Sequence, residues 1–170
     1  TYRSSSNLLF GLLSNPDQYQ ALLADRSLFD QAIEEGIRWE PPLLIIVRTA
    51  VREVEVCGVT LPAGAFVICN MGSANHDDTR WPDPDRFDIF RERRPHIGFA
   101  HGPHRCLGMH LARMETRVAL TALMDRLDLR SIPHVFETLE IGAEEMKGLS
   151  LVNEDLARPL REFLDGRLSL

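Results

Sequence analysis

The sequence lacks several features that would narrow its function class. It has no apolar run near the roughly 18 to 20 residues of a membrane span, and no basic start followed by an apolar stretch that would indicate a signal peptide. It also lacks a block of positive charge, because the net charge is −6 and acidic and basic residues are interspersed. No repeat, low-complexity tract or Ser/Gly linker divides the 170 residues. These absences predict one folded unit with no membrane segment and no nucleic-acid partner.

Cysteine is scarce, and its count is odd. A chain of this size does not depend on disulfides, so Cys57, Cys69 and Cys106 are predicted to be reduced thiols in a cytoplasmic protein. An initiator methionine is also absent, and the first residues read as the last turns of a helix that has already begun. The sequence therefore predicts a truncated start.

Helical spacing dominates the first forty residues. Leucines at helical spacing predict a helix over residues 1–14, and Asn15 followed by Pro16 supplies the cap and first residue of a second helix. Apolar residues at steps of four from Phe29 to Ile37 predict the buried face of a third helix, which two prolines then end.

The middle of the chain changes character. Residues 43–69 are rich in β-branched residues, alternate with period two and contain two glycine turns, which predicts a small sheet. Residues 70–96 show no sustained period and predict a long irregular loop, held down by Trp81, Phe87 and Phe90. The fold class predicted from these segments is mainly α with a small β-sheet.

A helix follows the glycine-rich segment around residue 102. Apolar residues spaced three, four and four apart predict its buried face: Leu111, Met114, Val118 and Ala122.

Cys106 stands where a thiolate would be stabilised. It follows a loop containing Gly98 and Gly102, precedes Gly108, and comes directly before this helix. The free N–H groups of a helix N-terminus lower the pKa of a thiol, and glycines let a bulky planar ligand approach the backbone. Cationic or hydrogen-bonding residues cluster nearby: His101, His104, Arg105 and His110. On these local features a buried free cysteine is an equally good interpretation.

A zinc site is a third interpretation of the same segment. Imidazole and thiolate are the usual zinc ligands, and the candidates are His96, His101, His104, Cys106 and His110. The spacing argues against it, because only one soft ligand is present and Pro103 stiffens the middle.

The segment FAHGPHRCLG resembles the cysteine-ligand loop of the cytochromes P-450, which runs Phe, two residues, Gly, three residues, Cys, one residue, Gly. The matching residues are Phe99, Gly102, Cys106 and Gly108. EEGIRWEPP resembles the Glu-x-x-Arg helix of that family, and the following β region and meander are also similar, so that the resemblance covers roughly residues 1–130.

The resemblance implies a fold and an activity. The chain would be the C-terminal haem-binding part of a cytochrome P-450, with the N-terminal part absent and residues 1–170 forming a single partial domain. It would belong to a haem-thiolate monooxygenase, which inserts one oxygen atom of O2 into a small organic substrate. The implied cofactor is haem b, with electrons from a ferredoxin or flavodoxin and ultimately from NAD(P)H.

The resemblance also implies roles at the haem. Cys106 would donate its thiolate to the iron, Phe99 would pack beside the sulfur, and Gly102 and Gly108 would keep the loop tight around it. His104 and Arg48 would pair with the haem propionates.

A structural network and a catalytic hydroxyl complete the implied site. Glu35 and Arg38, three apart on a helix, read alone as a local ion pair, and the resemblance implies that Arg86 joins them in a buried network. The oxygen-activating acid and alcohol of the family fall at or just before Thr1, which makes Thr1 the catalytic candidate. The tail lacks the family's Leu-Pro-Val ending. A truncated haem-binding remnant without catalysis, and the zinc-stabilised domain, stay as alternatives.

Overall fold

Helices and two short β-ribbons make up residues 1–126, which are the residues that the computed structural model describes. These residues belong to a compact unit spanning Thr1–Leu127. The tail departure lies outside the described residues, and the single domain over residues 1–170 stays a prediction. The helices are α1 (Tyr2–Ser14), α2 (Pro16–Ala24), α3 (Phe29–Trp39), α4 (Met71–Asn75) and α5 (Met109–Arg126), with 3-10 turns at Arg26–Leu28 and Gly102–His104. The strands are β1 (Ile45–Thr49), β2 (Val54–Val56), β3 (Val59–Leu61) and β4 (Phe66–Asn70).

The core lies where α1 packs against α2 and α3. The junction predicted at Asn15 and Pro16 is confirmed, with Pro16 as the first residue of α2. The Asn15 amide donates to the Gly11 carbonyl at 2.8 Å, so that its side chain ties down the end of α1 and does not cap α2. Helix α1 approaches α3 closely at Gly36, where a β-carbon would lie only 3.0 Å from the β-carbon of Leu8. The predicted buried face of α3 is confirmed.

The β region consists of two separate antiparallel ribbons. Strand β1 pairs with β4 from Ile45 opposite Asn70 to Thr49 opposite Phe66, and β2 pairs with β3. Cys57 and Gly58 both have positive φ, at 51° and 79°, which is the conformation that a two-residue hairpin turn of type I′ requires. The small predicted sheet is therefore present, in two pieces.

The segment after β4 is irregular apart from α4, and its anchors differ in part from the prediction. Trp81 and Phe87 are buried as predicted, whereas Phe90 is 55% exposed, so its prediction as an anchor is wrong. Ile89 is the buried neighbour, because Gln18 of α2 donates to the Phe87 carbonyl at 2.9 Å and accepts from the Ile89 N–H at 2.8 Å. This clamp turns the odd-numbered side chains inward and Phe90 outward.

Helix α5 packs through the face opposite to the predicted one. Leu111, Met114 and Val118 are exposed to between 53% and 63%, so the prediction that they are buried is wrong. The helix contacts α1 and α3 through another face. On this face the Thr116 hydroxyl lies 3.1 Å from the Ser5 hydroxyl of α1. The buried residues of that face are Thr116, Leu120 and Met124.

Among the helices of residues 1–126, none is both long enough and apolar enough to cross a membrane.

Candidate functional site

The loop before α5 is folded by its own backbone. The Ala100 N–H donates to the Ile97 carbonyl at 2.8 Å, and the Cys106 N–H donates to the Phe99 carbonyl at 2.9 Å. Two residues adopt left-handed backbone conformations, Gly102 with φ of 78° and Ala100 with φ of 59°. Glycine adopts this conformation freely, whereas an alanine there costs about 1 to 2 kcal/mol. The loop therefore stores some backbone strain while it brings Cys106 to the start of α5.

The face of this loop is open and apolar. The Cys106 side chain is a free, exposed thiol, and Leu107 beside it is 99% exposed. A β-carbon added at Gly102 or Gly108 would meet no atom within 4 Å. The exposed stripe of α5 continues from Leu107 through Leu111 and Met114. A single exposed sulfur ligand beside an unobstructed backbone and an apolar surface fits a large planar group bound through a thiolate.

The glutamate before Glu35 ties the loop to two helices. Glu34 of α3 accepts from the Arg113 guanidinium of α5, with Nη2 to Oε2 at 2.8 Å, and lies 3.1 Å from His96 Nε2. Burial alone would raise the pKa of Glu34, but the hydrogen bonds from Arg113 and His96 and the positive charge of Arg113 outweigh it and lower the pKa to about 2. The Arg113 guanidinium also lies over the Phe99 ring, 4.5 Å from its centroid.

The second network centres on Glu35 and Arg38. Both side chains are buried, and Arg38 Nε and Nη2 each donate to one Glu35 carboxylate oxygen at 2.8 Å. Arg38 also donates to the carbonyls of Asn75, Pro84 and Arg86. A buried pair with so many charge-assisted hydrogen bonds fixes α3 against the irregular segment.

The third side chain of this network is Arg91, and the assignment to Arg86 is corrected. Arg91 Nε donates to Glu35 Oε1 at 3.2 Å, whereas the Arg86 side chain is exposed. Arg86 contributes its carbonyl oxygen, which accepts from Arg38 at 3.2 Å and from Arg91 at 2.8 Å. Two backbone turns determine which guanidinium reaches Glu35. In one the Arg86 N–H donates to the Asp83 carbonyl, and in the other the Arg91 N–H donates to the Asp88 carbonyl.

Asn75 is a contact that the sequence analysis missed. It is buried at the end of α4, and its Oδ1 accepts from the Ile97 N–H at 3.0 Å, which ties α4 to the start of the ligand loop. Its Nδ2 is buried without a hydrogen-bond partner among the described residues. A small asparagine in an aperiodic stretch gives no periodic signal that could have identified this role.

The remaining predicted site residues lie at separate places. Arg48 is exposed on β1, where its Nη1 donates to the Val47 carbonyl at 2.8 Å. His104 is exposed in the 3-10 turn of the loop and makes no hydrogen bond or ion pair within residues 1–126. Thr1 is exposed at the start of α1, and its hydroxyl donates to Glu115 of α5 at 2.7 Å.

The zinc interpretation finds no support in this geometry. Within the described part of the chain, no group of three or more His, Cys, Asp or Glu side chains could hold a metal ion. His96, one of the proposed ligands, faces Glu34.

Comparison with known proteins agrees with the loop geometry. The cytochrome P-450 family profile matches residues 14–149. Over 108 residues, which are 64% of this chain and 26% of the relative, the chain is 46% identical to "Cytochrome p450 CYP199A2" of Rhodopseudomonas palustris. It is 43% identical over 122 residues to the "Cytochrome P450 monooxygenase PikC" of Streptomyces venezuelae, covering 71% of this chain and 29% of that one.

A solved structure shows the same fold. The crystal structure of P450BioI in complex with hexadec-9Z-enoic acid ligated acyl carrier protein superposes with a TM-score of 0.71 and 39% identity, over 73% of this chain and 32% of that one. The chain thus spans between a quarter and a third of the length of these relatives. With a family profile over most of its length, a Cys106 loop matching the family pattern and a shared fold, the chain belongs to the cytochrome P-450 family.

Proposed function

We propose that this chain is the haem-binding part of a haem-thiolate monooxygenase, in which Cys106 is the iron ligand. The observation that carries the proposal is the exposed Cys106 thiol on a loop with no side chain over Gly102 or Gly108. When bound, haem b with a thiolate ligand supplies O2 activation, because the electron density of the sulfur favours cleavage of the O–O bond.

The residues of the chain would hold and shield this cofactor. His104 and Arg48 are exposed cationic or hydrogen-bonding groups without a side-chain partner in residues 1–126, and they are proposed to pair with the propionates. Phe99 is half-buried, and its carbonyl holds the Cys106 N–H, so it is proposed to limit water access at the sulfur. Gly102 and Gly108 leave the face of the loop free for a planar ligand.

The activity of a whole protein built on this part is also proposed, since the chain spans only 26% to 29% of two curated relatives. It would insert one oxygen atom of O2 into a small organic substrate in the cytoplasm. Electrons would come from a ferredoxin or flavodoxin and ultimately from NAD(P)H. Thr1 is the catalytic hydroxyl candidate, and its bond to Glu115 would place it against α5.

The cysteines allow a matched test. Cys57, Cys69 and Cys106 are all free and exposed, so Cys→Ser substitutions at the three positions remove the same group from comparable surroundings. The purified 170-residue chain and its variants are reconstituted with haem, reduced and treated with CO. We expect the red-shifted Soret band of thiolate-ligated haem in the wild type and in the Cys57→Ser and Cys69→Ser variants.

The Cys106→Ser variant decides the assignment. It should lose the red-shifted band, because serine offers the iron no thiolate. Retention of pigment and band in this variant refutes Cys106 as the ligand, and a colourless wild-type chain with bound zinc refutes the haem proposal altogether.

A further inference from the structure

We propose that Glu34, His96 and Arg113 form a positioning network, which holds the backbone of the Cys106 loop in one orientation between α3 and α5. The inference rests on the proposed function, because the loop is the proposed thiolate loop. The network is separate from the buried Glu35 and Arg38 pair, and within residues 1–126 its members form hydrogen bonds with one another and with the loop backbone and none with the Cys106 sulfur.

Glu34 is the centre of the network. Its two carboxylate oxygens each accept from the Arg113 guanidinium, and Oε2 also faces His96 Nε2 at 3.1 Å. The side chain is 30% exposed, so these bonds form in partly desolvated surroundings, where charge-assisted hydrogen bonds are stronger than at the surface.

His96 passes this contact to the loop backbone. Its Nδ1 accepts from the Gly98 N–H at 3.1 Å, which requires that Nδ1 carries no proton. The proton of the neutral ring is then on Nε2, which donates to Glu34. The carboxylate therefore selects the tautomer that can bind Gly98, and Gly98 itself is close against α3, where a β-carbon would lie 2.7 Å from a side-chain atom of Ile37.

Arg113 holds the next residue of the loop. Its guanidinium lies 4.5 Å from the centroid of the Phe99 ring while it donates to Glu34, so the same cation fixes α3, α5 and Phe99. The Phe99 carbonyl in turn accepts the Cys106 N–H at 2.9 Å. A continuous path of contacts thus leads from Glu34 to the backbone of Cys106.

The chain offers a matched control for this network. Asp30 and Arg117 form a second ion pair between α3 and α5, at 2.8 Å, but both side chains are more exposed, at 65% and 44%. Glu34→Gln and Asp30→Asn each remove one negative charge from α3 and one link to α5. Only the former changes a group that contacts the loop.

Hydrogen exchange of the haem-free 170-residue chain tests the proposal without reference to haem. In Glu34→Gln, exchange of the Gly98 and Cys106 amides should accelerate about tenfold or more, since a charge-assisted bond is lost while the rest of the fold remains. In Asp30→Asn it should change less than about twofold. Arg113→Lys keeps the charge but loses the paired geometry and should give an intermediate acceleration. Equal exchange in the Glu34 and Asp30 variants overturns the proposal.

A spectroscopic readout separates positioning of Cys106 from support of the fold. In the haem-loaded Glu34→Gln chain, part of the reduced CO complex should lose the red-shifted thiolate band, while Asp30→Asn matches the wild type. An unchanged band alongside accelerated exchange shows that the network supports the fold without positioning the sulfur, and this also overturns the proposal. If no variant, including the wild type, binds haem, the proposed function fails, and the exchange of the Cys106 amide alone decides the positioning role.

Discussion

Arg91 and not Arg86 supplies the third side chain of the buried Glu35 network, so Arg91→Gln should lower the stability of the chain more than Arg86→Gln. Both substitutions remove one positive charge from the same irregular segment. Arg91 donates through Nε to the buried Glu35 carboxylate at 3.2 Å, and its own side chain is 10% exposed. The Arg86 side chain is exposed, and its part in the network is its carbonyl, which every residue type supplies.

The expected magnitudes follow from the hydrogen bonds that remain. In Arg91→Gln, Glu35 keeps both bonds from Arg38 and the bond from the Asp88 N–H at 3.0 Å, so its charge is still compensated. The cost is then below the 3 to 5 kcal/mol of an unpaired buried charge. We expect about 2 to 3 kcal/mol, because the substitution removes the charge-assisted bond to Glu35 together with the bonds from Arg91 to three carbonyls at exposed positions, those of Pro82, Asp83 and Arg86. Arg86→Gln should cost no more than about 0.5 kcal/mol.

Urea unfolding of the 170-residue chain, followed by circular dichroism, measures the two free energies of unfolding. Equal slopes in urea indicate that the variants differ in stability and not in compactness. Arg38→Met serves as the upper limit, since it removes both bonds from Arg38 to Glu35 and leaves three carbonyls without this donor, those of Asn75, Pro84 and Arg86. Glu35 then keeps only Arg91 and the Asp88 N–H, and the loss should be about 3 to 5 kcal/mol. A loss in Arg86→Gln that equals or exceeds the loss in Arg91→Gln contradicts the assignment of the third side chain.

Three further predictions concern the ligand loop and α5. The pKa of Glu34 is lowered from 4.5 to about 2 in the folded chain, so the ionised carboxylate stabilises the fold above pH 4.5, and this stabilisation is lost as the pH falls toward 2. Between these pH values the free energy of unfolding of the wild type should fall by at most about 3 kcal/mol more than that of Glu34→Gln. Gly98→Ala should lower the melting temperature, since its β-carbon would meet α3 at 2.7 Å, whereas Gly108→Ala meets nothing within 4 Å and should leave it nearly unchanged; equal shifts contradict the packing. Leu120→Ala should cost about 2 to 5 kcal/mol in urea unfolding, whereas Leu111→Ala, at an exposed position, should cost under about 0.5 kcal/mol; a large loss in the latter contradicts the observed face of α5.

The sequence predicted those elements whose conformation depends on neighbouring residues in the chain. Pro16 lacks the N–H that a first helical residue does not use, so the start of α2 could be predicted from two residues. Steps of four predicted the buried face of α3, and the Cys57 and Gly58 turn followed from the alternation on either side of it. The placement of Cys106 ahead of a helix needed only the glycines and the apolar spacing that follow it.

Tertiary partners decided what the sequence could not. Helix α5 carries apolar residues on two faces, and periodicity alone does not say which face meets α1 and α3. The sequence indicates the wrong face, because Leu111, Met114 and Val118 are more apolar than the face that contains Thr116. In the same way, Arg86 and Arg91 stand in an aperiodic segment, where two turns set which guanidinium reaches Glu35.

The ligand loop shows why its supporting residues are the hardest to predict. Asn75 accepts from the Ile97 N–H, His96 accepts from the Gly98 N–H, and the Phe99 carbonyl accepts from the Cys106 N–H. Each of these hydrogen bonds is made to a backbone N–H group, which every residue except proline carries. The residue types around the bond are therefore not fixed by it, and no sequence motif identifies it. The Cys106 thiol itself stays exposed. A backbone fixed by its surroundings and a free sulfur are what a ligand loop requires, because the atom that binds must be accessible while its position is set in advance.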